Sequence, residues 1–253
     1  MTLSIQGLTK AYGGLRVVDD VRFDVPAGAL VGVIGPNGAG KSTLFSLVTG
    51  FLGADAGDVS FEGRPLGRAT PMERARAGMV RTFQVPREFA HLTVRENLMA
   101  ASPGQAGERL IATFFRPGLV KAQEAEIAAK VEETIAFLRL QKVADVPAGR
   151  LSGGQKKLVE LGRALMTGAR MILLDEPFAG VNPVLVEELS VRIRELHARG
   201  IGFLIIEHDL PALNRLVSTL HVMDRGRLIA SGTPAEVLAD PRVRDAYLGG
   251  AAA

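Results

Sequence analysis

The spacing of apolar residues along this chain changes period twice. From residue 3 to about residue 62 the apolar positions form short runs and alternations of strand length. These are Leu3–Leu8, Leu15–Val18, Val21–Val25, Ala29–Ile34 and Asp58–Phe61, with Met79–Phe83 a further short strand. From about Thr93 the spacing turns helical, and Ile127, Val131, Ile135 and Leu138 recur among charged residues. The stretch Ser102–Gly118 is richer in glycine and proline and reads as a loop or broken helix. After Gln155 strands and helices alternate. A helix runs to about Met166, followed by a buried strand Met171–Leu174 and a helix from about Pro183 to Ala198. Strand Phe203–Glu207, another helix, and strands near Leu220–Met223 and Arg227–Ala230 follow. Asn182 before Pro183 supplies an N-cap and a first-turn proline. The pattern predicts an α/β protein with a helical insertion at about 93–165. There is no internal repeat, and low complexity is confined to the tail Gly249–Ala253.

Composition narrows the classes. The chain has 253 residues, enough for one large α/β domain with an inserted lobe. Apolar residues make up 47% and aromatics only 5%, with no tryptophan, so the core is aliphatic. Cysteine is absent, which removes disulfides and cysteine-ligated metals. His91, His197, His208 and His221 show no zinc-ligand spacing. The stretch Met1–Ile5 lacks the charged and apolar regions of a signal peptide, and nowhere do about 18 apolar residues run together. The expectation is a soluble chain that reaches a membrane only through a partner. The net charge is +3 and the isoelectric point near 9.4. Lys and Arg are scattered, which fits a solvated basic surface, and no nucleic-acid partner is expected.

The most informative local motif is Gly35-Pro36-Asn37-Gly38-Ala39-Gly40-Lys41-Ser42-Thr43, a match to the G-x-x-x-x-G-K-[ST] phosphate-binding loop. Gly35, Gly38 and Gly40 allow a tight turn that presents backbone N–H groups to phosphate oxygens. Lys41 adds a point charge for the β and γ phosphates, and Ser42 offers a hydroxyl to Mg²⁺. A buried strand precedes the loop. A helix beginning at about Lys41 follows it, with Leu44, Phe45, Leu47 and Val48 on its apolar face, so its dipole favours the same anion.

Two further motifs carry chemistry. Met171-Ile172-Leu173-Leu174-Asp175-Glu176-Pro177 is an apolar strand ending in two acids. It would deliver Asp175 beside a bound Mg²⁺ and leave Glu176, one residue on, to polarise an attacking water. An apolar run ending in acids is common by itself, and a core strand followed by a polar turn reads the same way. Leu151-Ser152-Gly153-Gly154-Gln155 opens a helix with Ser152 as cap, making a second anion-binding terminus. One economical arrangement grips each nucleotide between the loop of one subunit and the Ser-Gly-Gly turn of another.

With these motifs in this order, the chain resembles the ATP-binding-cassette (ABC) ATPases over nearly its whole length. Leu151–Gln155 matches that family's signature letter for letter. The resemblance implies a P-loop NTPase fold with a RecA-like core, an N-terminal antiparallel β subdomain and an inserted α-helical subdomain. The core would take residues 1–92 and 166–240, the helical subdomain 93–165, and a tail 241–253. ATP and Mg²⁺ are the implied cofactors. Tyr12 falls where the family stacks a ring on adenine. Gln84 matches the glutamine that senses Mg²⁺ and water, and His208 the histidine that contacts the γ-phosphate. The nucleotide-binding set becomes Tyr12, Asn37, Gly38, Ala39, Gly40, Lys41, Ser42 and Thr43, with Ser152, Gly153, Gly154 and Gln155 from the partner. Ser42, Gln84 and Asp175 would arrange the metal, and Glu176, His208, Gln84 and Lys41 the hydrolysis.

Finer features are similar to the ATPases of branched-chain amino acid importers. They are Ala179-Gly180-Val181-Asn182-Pro183, Arg81-Thr82-Phe83-Gln84, Leu92-Thr93-Val94-Arg95-Glu96-Asn97-Leu98, Ile206-Glu207-His208-Asp209 and the ending Val243–Gly249. Two positions depart from the usual patterns. Asn182 stands where the wider family carries aspartate, and Gly153 where many such importer subunits carry a bulkier residue. Importers of urea, amides or aromatic acids use similar ATPases. The implied partners are a second ABC ATPase subunit, identical or paralogous, permease subunits docking near Val85–Leu92, and indirectly a periplasmic solute-binding protein. The implied location is the cytoplasmic face of the inner membrane. Other readings are a lipid or lipopolysaccharide export ATPase and a soluble ABC protein. A P-loop kinase or GTPase fits less well, since no guanine-reading Asn-Lys-x-Asp is present.

Overall fold

A computed structural model describes residues 3–82, 88–108, 115, 117–207 and 210–249 of the chain. Gln84, His208 and residues 85–87 of the expected docking segment lie outside the described residues. In chain order, strands β1 (Leu3–Tyr12), β2 (Leu15–Val25) and β3 (Leu30–Ile34) lead into helix α1 (Lys41–Val48). β4 (Ala56–Phe61), β5 (Arg64–Pro65), α2 (Pro71–Arg76) and β6 (Met79–Arg81) come next. Helices α3 (Val94–Ala100), α4 (Pro117–Phe137) and α5 (Gly153–Met166) form the middle of the chain. β7 (Met171–Asp175), α6 (Pro183–Ala198), β8 (Gly202–Ile206), α7 (Leu210–Asn214) and β9 (Thr219–Asp224) restore the alternation. β10 (Arg227–Gly232), α8 (Pro234–Ala239) and α9 (Pro241–Gly249) complete it.

The chain divides into two units. The first comprises residues 1–84, 170–179 and 186–253, the second residues 85–169 and 180–185. The first unit holds both sheets. One is antiparallel in the order β2-β1-β4-β5. The other runs β10-β9-β3-β8-β7-β6, parallel throughout except for the edge pair β9–β10. β3, β7 and β8 are buried at all five positions, which is why they read as unbroken apolar runs. A single apolar cluster joins Leu3, Ile5 and Val25 of the antiparallel sheet to Phe45 of α1 and to Val31, Leu173 and Ile206 of the parallel sheet. In the second unit, Ile127, Val131, Ile135 and Leu138 are buried as their helical spacing predicts.

The structure corrects several sequence expectations. Leu15–Val18 and Val21–Val25 are one strand, because both intervening acids find partners, the Asp20 carboxylate in Arg22 at 2.7 Å. Asp19 accepts from Arg16 at 2.9 Å and from Arg227 at 2.7 Å, while the Asp20 amide donates to the Thr9 hydroxyl at 3.1 Å. Asp20 takes a positive φ of 52° at a register shift, so the strand bulges and continues. Pro117 and Gly118 begin helix α4 instead of closing a loop. The unanticipated helix α2 starts at a capping box between Thr70 and Glu73.

His221 on β9 is a buried polar residue whose titration bears on stability. It is 4% exposed, packs against the Phe23 ring at 4.4 Å, and lies 2.7 Å from the Ser231 hydroxyl through Nδ1. Its Nε2 is buried with no hydrogen-bond partner among the described residues. Burial pushes its pKa down from 6.5 to about 4. Between those values the unfolded chain binds the proton that the folded chain refuses. The stabilisation is therefore complete above about pH 6.5 and is lost as pH falls towards 4, by about 3 kcal/mol in all. Urea unfolding between pH 7 and pH 4.5 should show this slope, and His221→Gln should be shallower by close to one proton. Parallel slopes would assign the pH dependence to other groups.

Candidate functional site

The phosphate loop follows β3, and its backbone is held in a shape that only glycine tolerates at key points. Gly40 has φ +96°, and a Cβ there would meet the Val17 carbonyl oxygen at 2.2 Å. Helix α1 starts immediately after, at Lys41, as expected. Residues 37–43 line a pocket of about 210 Å³ together with Val17 and Glu176. Lys41 is buried, and its ammonium donates to the Gly35 carbonyl at 2.7 Å and the Pro36 carbonyl at 3.0 Å. Burial lowers its pKa, while the nearby carboxylates of Glu176 and Asp175 oppose that shift. A larger cavity of about 480 Å³ is lined by Leu8, Leu47, Asp58, Arg68 and Arg74, among others. It lacks the loop residues and Glu176, so the smaller pocket is the candidate for phosphate chemistry.

Asp175 and Glu176 reach this region because β7 is paired in parallel with β8, Asp175 opposite Ile206. The Glu176 amide donates to the Ile206 carbonyl at 2.9 Å, and Glu176 adopts φ +48°. A left-handed glutamate is a strained conformation of the kind that clusters at functional sites. Here it accompanies a carboxylate that lines the phosphate-loop pocket. Asp175 is buried and ion-paired with Arg81 at 2.6 Å. Ser42 and Asp175 are hard oxygen donors. Among the described residues no cluster of three or more His, Cys, Asp or Glu is present. That set suits Mg²⁺, which keeps much of its shell in water and phosphate oxygens. Tyr12 ends β1 at 53% exposure with the Lys10 ammonium 5.7 Å from its ring centroid, and it does not line the loop pocket.

In the second unit, Ser152 and Gln155 form a reciprocal capping box. The Gln155 amide donates to the Ser152 hydroxyl at 3.3 Å and the Ser152 amide to the Gln155 side chain at 3.0 Å. The two glycines between them differ. A Cβ on Gly153 would meet nothing within 4 Å among the described residues, whereas one on Gly154 would meet Leu185 at 2.2 Å. Glu88, within the expected docking segment, turns inward to Lys156 at 2.7 Å with its side chain 7% exposed. Phe89 beside it is 51% exposed and lies under the Arg163 guanidinium at 4.9 Å.

The comparisons with known proteins bear on this arrangement. The sequence profile of the ABC transporter family matches residues 18–179, the span from β2 to the turn after Glu176. The chain belongs to the ABC transporter family. A probable branched-chain amino acid transport ATP-binding protein, LivG, of Methanocaldococcus jannaschii is 42% identical over 251 residues, covering 98% of this chain and 97% of its own. The lipopolysaccharide export system ATP-binding protein LptB of Escherichia coli K12 is 36% identical over 248 residues, covering 98% and 97%. A crystal structure of a nucleotide-free ATP-binding cassette from an ABC transporter matches with a TM-score of 0.84 at 41% identity, covering 97% of this chain and 98% of the other. The profile of branched-chain amino acid ATP-binding cassette transporters matches residues 227–253. This ABC protein is accordingly a nucleotide-binding ATPase coupled to transport, with the α/β P-loop fold expected from its motifs.

Several residues of this ABC ATPase escaped the sequence reading. Arg81 was visible only as part of a motif, and its pairing with Asp175 lies 94 residues away. Glu207 is 2% exposed and accepts from the Phe178 amide at 2.6 Å, tying the turn after Glu176 to the end of β8. Tyr247, in the tail, faces the Gly35 amide, and burial pushes its pKa up to about 12. No spacing rule marks such partners, because their contacts are long-range.

The glycine contrast gives a stability prediction. Gly154→Ala should destabilise the protein by about 1–3 kcal/mol through overpacking against Leu185. Gly153→Ala should stay within about 0.5 kcal/mol of the parent or gain slightly. Urea denaturation midpoints of the two variants check this, and equal losses would show that Leu185 yields without cost.

Proposed function

We propose that this ABC ATPase powers an importer of small amino acids with branched apolar side chains, or of a related small solute such as urea, an amide or an aromatic acid. The observation that carries the hydrolytic part is the meeting of Glu176 and residues 37–43 in one pocket. The solute class is supported by the 41–42% identity to two archaeal LivG proteins and by the C-terminal profile match at 227–253.

The roles follow from chemistry. Backbone N–H groups of 37–43 cradle the phosphates, and Lys41 exchanges its contacts to the loop carbonyls for phosphate oxygens. Ser42, Asp175 and Gln84 would hold Mg²⁺, which supplies charge neutralisation at the phosphates when bound. Glu176 is the general base towards water, and His208 steadies the γ-phosphate. Tyr12 offers its exposed ring to the base. Ser152, Gly153, Gly154 and Gln155 of a second ABC subunit would close the site, with Ser152 and the amides of its helix turned to phosphate.

The partners are a second copy or close relative of this chain and permease subunits, with a solute-binding protein acting on the permease. No helix of the described residues is long and apolar enough to cross a membrane. We place the chain peripherally at the cytoplasmic face, on the permease. Docking falls near 85–92, where Phe89, Ala90 and His91 are exposed and Glu88 is committed to Lys156. Lipopolysaccharide export is the second reading, supported by 36–37% identity to LptB proteins. Pull-down of the membrane partner separates the two.

Glu176→Gln should lower ATP turnover by at least about a hundredfold while ATP still binds and dimers accumulate. Near-normal hydrolysis would reject Glu176 as the base. Phe89→Asp should leave basal ATP hydrolysis within twofold yet prevent co-purification with the permease, and intact co-purification would move the docking site elsewhere.

A further inference from the structure

Resting on the reading of Asp175 as a metal-arranging carboxylate, we infer that Arg81 is its positioning residue. One guanidinium fixes Asp175 relative to the helix that carries Lys41 and Ser42. Arg81 closes β6 and Asp175 closes β7, neighbouring parallel strands with Arg81 opposite Leu173. The Arg81 NH2 group contacts Asp175 Oδ2 at 2.6 Å, and the two side chains are only 10% and 7% exposed. At this burial the pair is a fixed structural joint and not a solvated surface contact.

The same guanidinium reaches α1. Its NH1 group donates to the Ser46 hydroxyl at 3.1 Å, and the Ser46 hydroxyl donates to the Ser42 carbonyl at 2.8 Å. The rings of Phe45 and Phe51 lie at 5.9 Å and 5.8 Å from it, within reach of a cation–π contact. A continuous chain of contacts therefore runs from Ser42 through Ser46 and Arg81 to Asp175. One end is the backbone carbonyl of Ser42, the residue whose hydroxyl is assigned to the metal, and the other is the Asp175 carboxylate. Arg81 engages Oδ2 of the carboxylate, so Oδ1 would be the oxygen offered to Mg²⁺ or its water. A lysine would keep the charge but lose the two-ended fork that reaches Ser46 and Asp175 together.

Outer partners of this kind are typically worth about ten- to a hundredfold in metal affinity. The readout is the ratio of fluorescent ATP-analogue affinity in Mg²⁺ to that in EDTA, measured on the full chain without turnover. In Arg81→Met the EDTA affinity should stay within about twofold of the parent, while the gain from Mg²⁺ falls at least about tenfold. Asp175→Asn should abolish the same gain, and adding Arg81→Met to it should change nothing further. If Arg81→Met keeps or enlarges the Mg²⁺ gain while Asp175→Asn loses it, the inference about Arg81 fails alone. If Asp175→Asn keeps the gain, the metal role of Asp175 fails first. Equal weakening of Arg81→Met in EDTA and in Mg²⁺ would also overturn the inference, since it marks a general packing defect. Should Arg81→Met unfold at the assay temperature, Arg81→Lys serves instead. A drop of at least about threefold in the Mg²⁺ gain supports positioning, and an unchanged gain overturns it.

Discussion

The parallel register of β3, β8 and β7 is the constraint on which the first unit depends. Val33 and Asp175 both pair with Ile206, so three strands buried along their whole length finish at one edge. Ligand sites in open parallel sheets form beyond such carboxyl ends. Each strand delivers a different chemical group there. β3 hands over to the phosphate loop, β7 ends in Asp175 with Glu176 next, and β8 is followed by Glu207. A one-residue slip of β7 would swap its two acids between a buried ion pair and the open pocket. Because β7 is buried on both faces, hydrophobic packing and the bonds of Glu176 to Ile206 and Thr82 to Leu173 resist that slip.

Bringing charges to this edge obliges the fold to compensate them locally. Asp175 is met by Arg81, and Lys41 by loop carbonyls with two carboxylates close by. Arg74 shows the same rule away from the pocket. It is 4% exposed, and it donates to the Leu47 and Val48 carbonyls at the end of α1 and to the Ala69 and Gly67 carbonyls. The negative end of the helix dipole lies at the same place and favours a cation. Helix α1 thus has the candidate phosphate loop at its first turn and a buried guanidinium at its last. Both ends are tied to neighbouring segments, which keeps the loop from drifting relative to the sheet.

Much of this was legible in the sequence because it is local. The start of α1 at Lys41, the cap at Asn182, the buried core of α4 and the turn of helix α5 at Ser152 all follow from residues within one or two turns of each other. Some local signals were present and went unread. Thr70-Pro71-Met72-Glu73 and Thr233-Pro234-Ala235-Glu236 both carry the capping-box pattern and both open helices. What could not be read were the pairings across the chain. The break expected at Asp19-Asp20 vanished because Arg227 reaches across from β10. Glu88 stands in the segment expected to dock a partner, yet it is bound to Lys156 on α5. Polarity in a sequence marks a need for partners, and only tertiary structure decides whether water or another side chain meets it.

Asn182 shows how a departure from a family pattern can be neutral locally and consequential elsewhere. Its side-chain oxygen accepts from the Leu185 amide at 3.0 Å, so the cap that an aspartate would make is kept. An amide caps without charge, and the start of α6 therefore does not weaken with acid or with salt as an aspartate cap would. The same exchange removes a negative charge from a loop that, in the proposed assembly, faces another subunit. Restoring it as Asn182→Asp would change little in the isolated chain, because the cap geometry is already satisfied. Any larger effect must then come from a charge on the partner's side of the interface. The position separates the demands of folding, which either residue meets, from those of assembly, where one unit of charge distinguishes them.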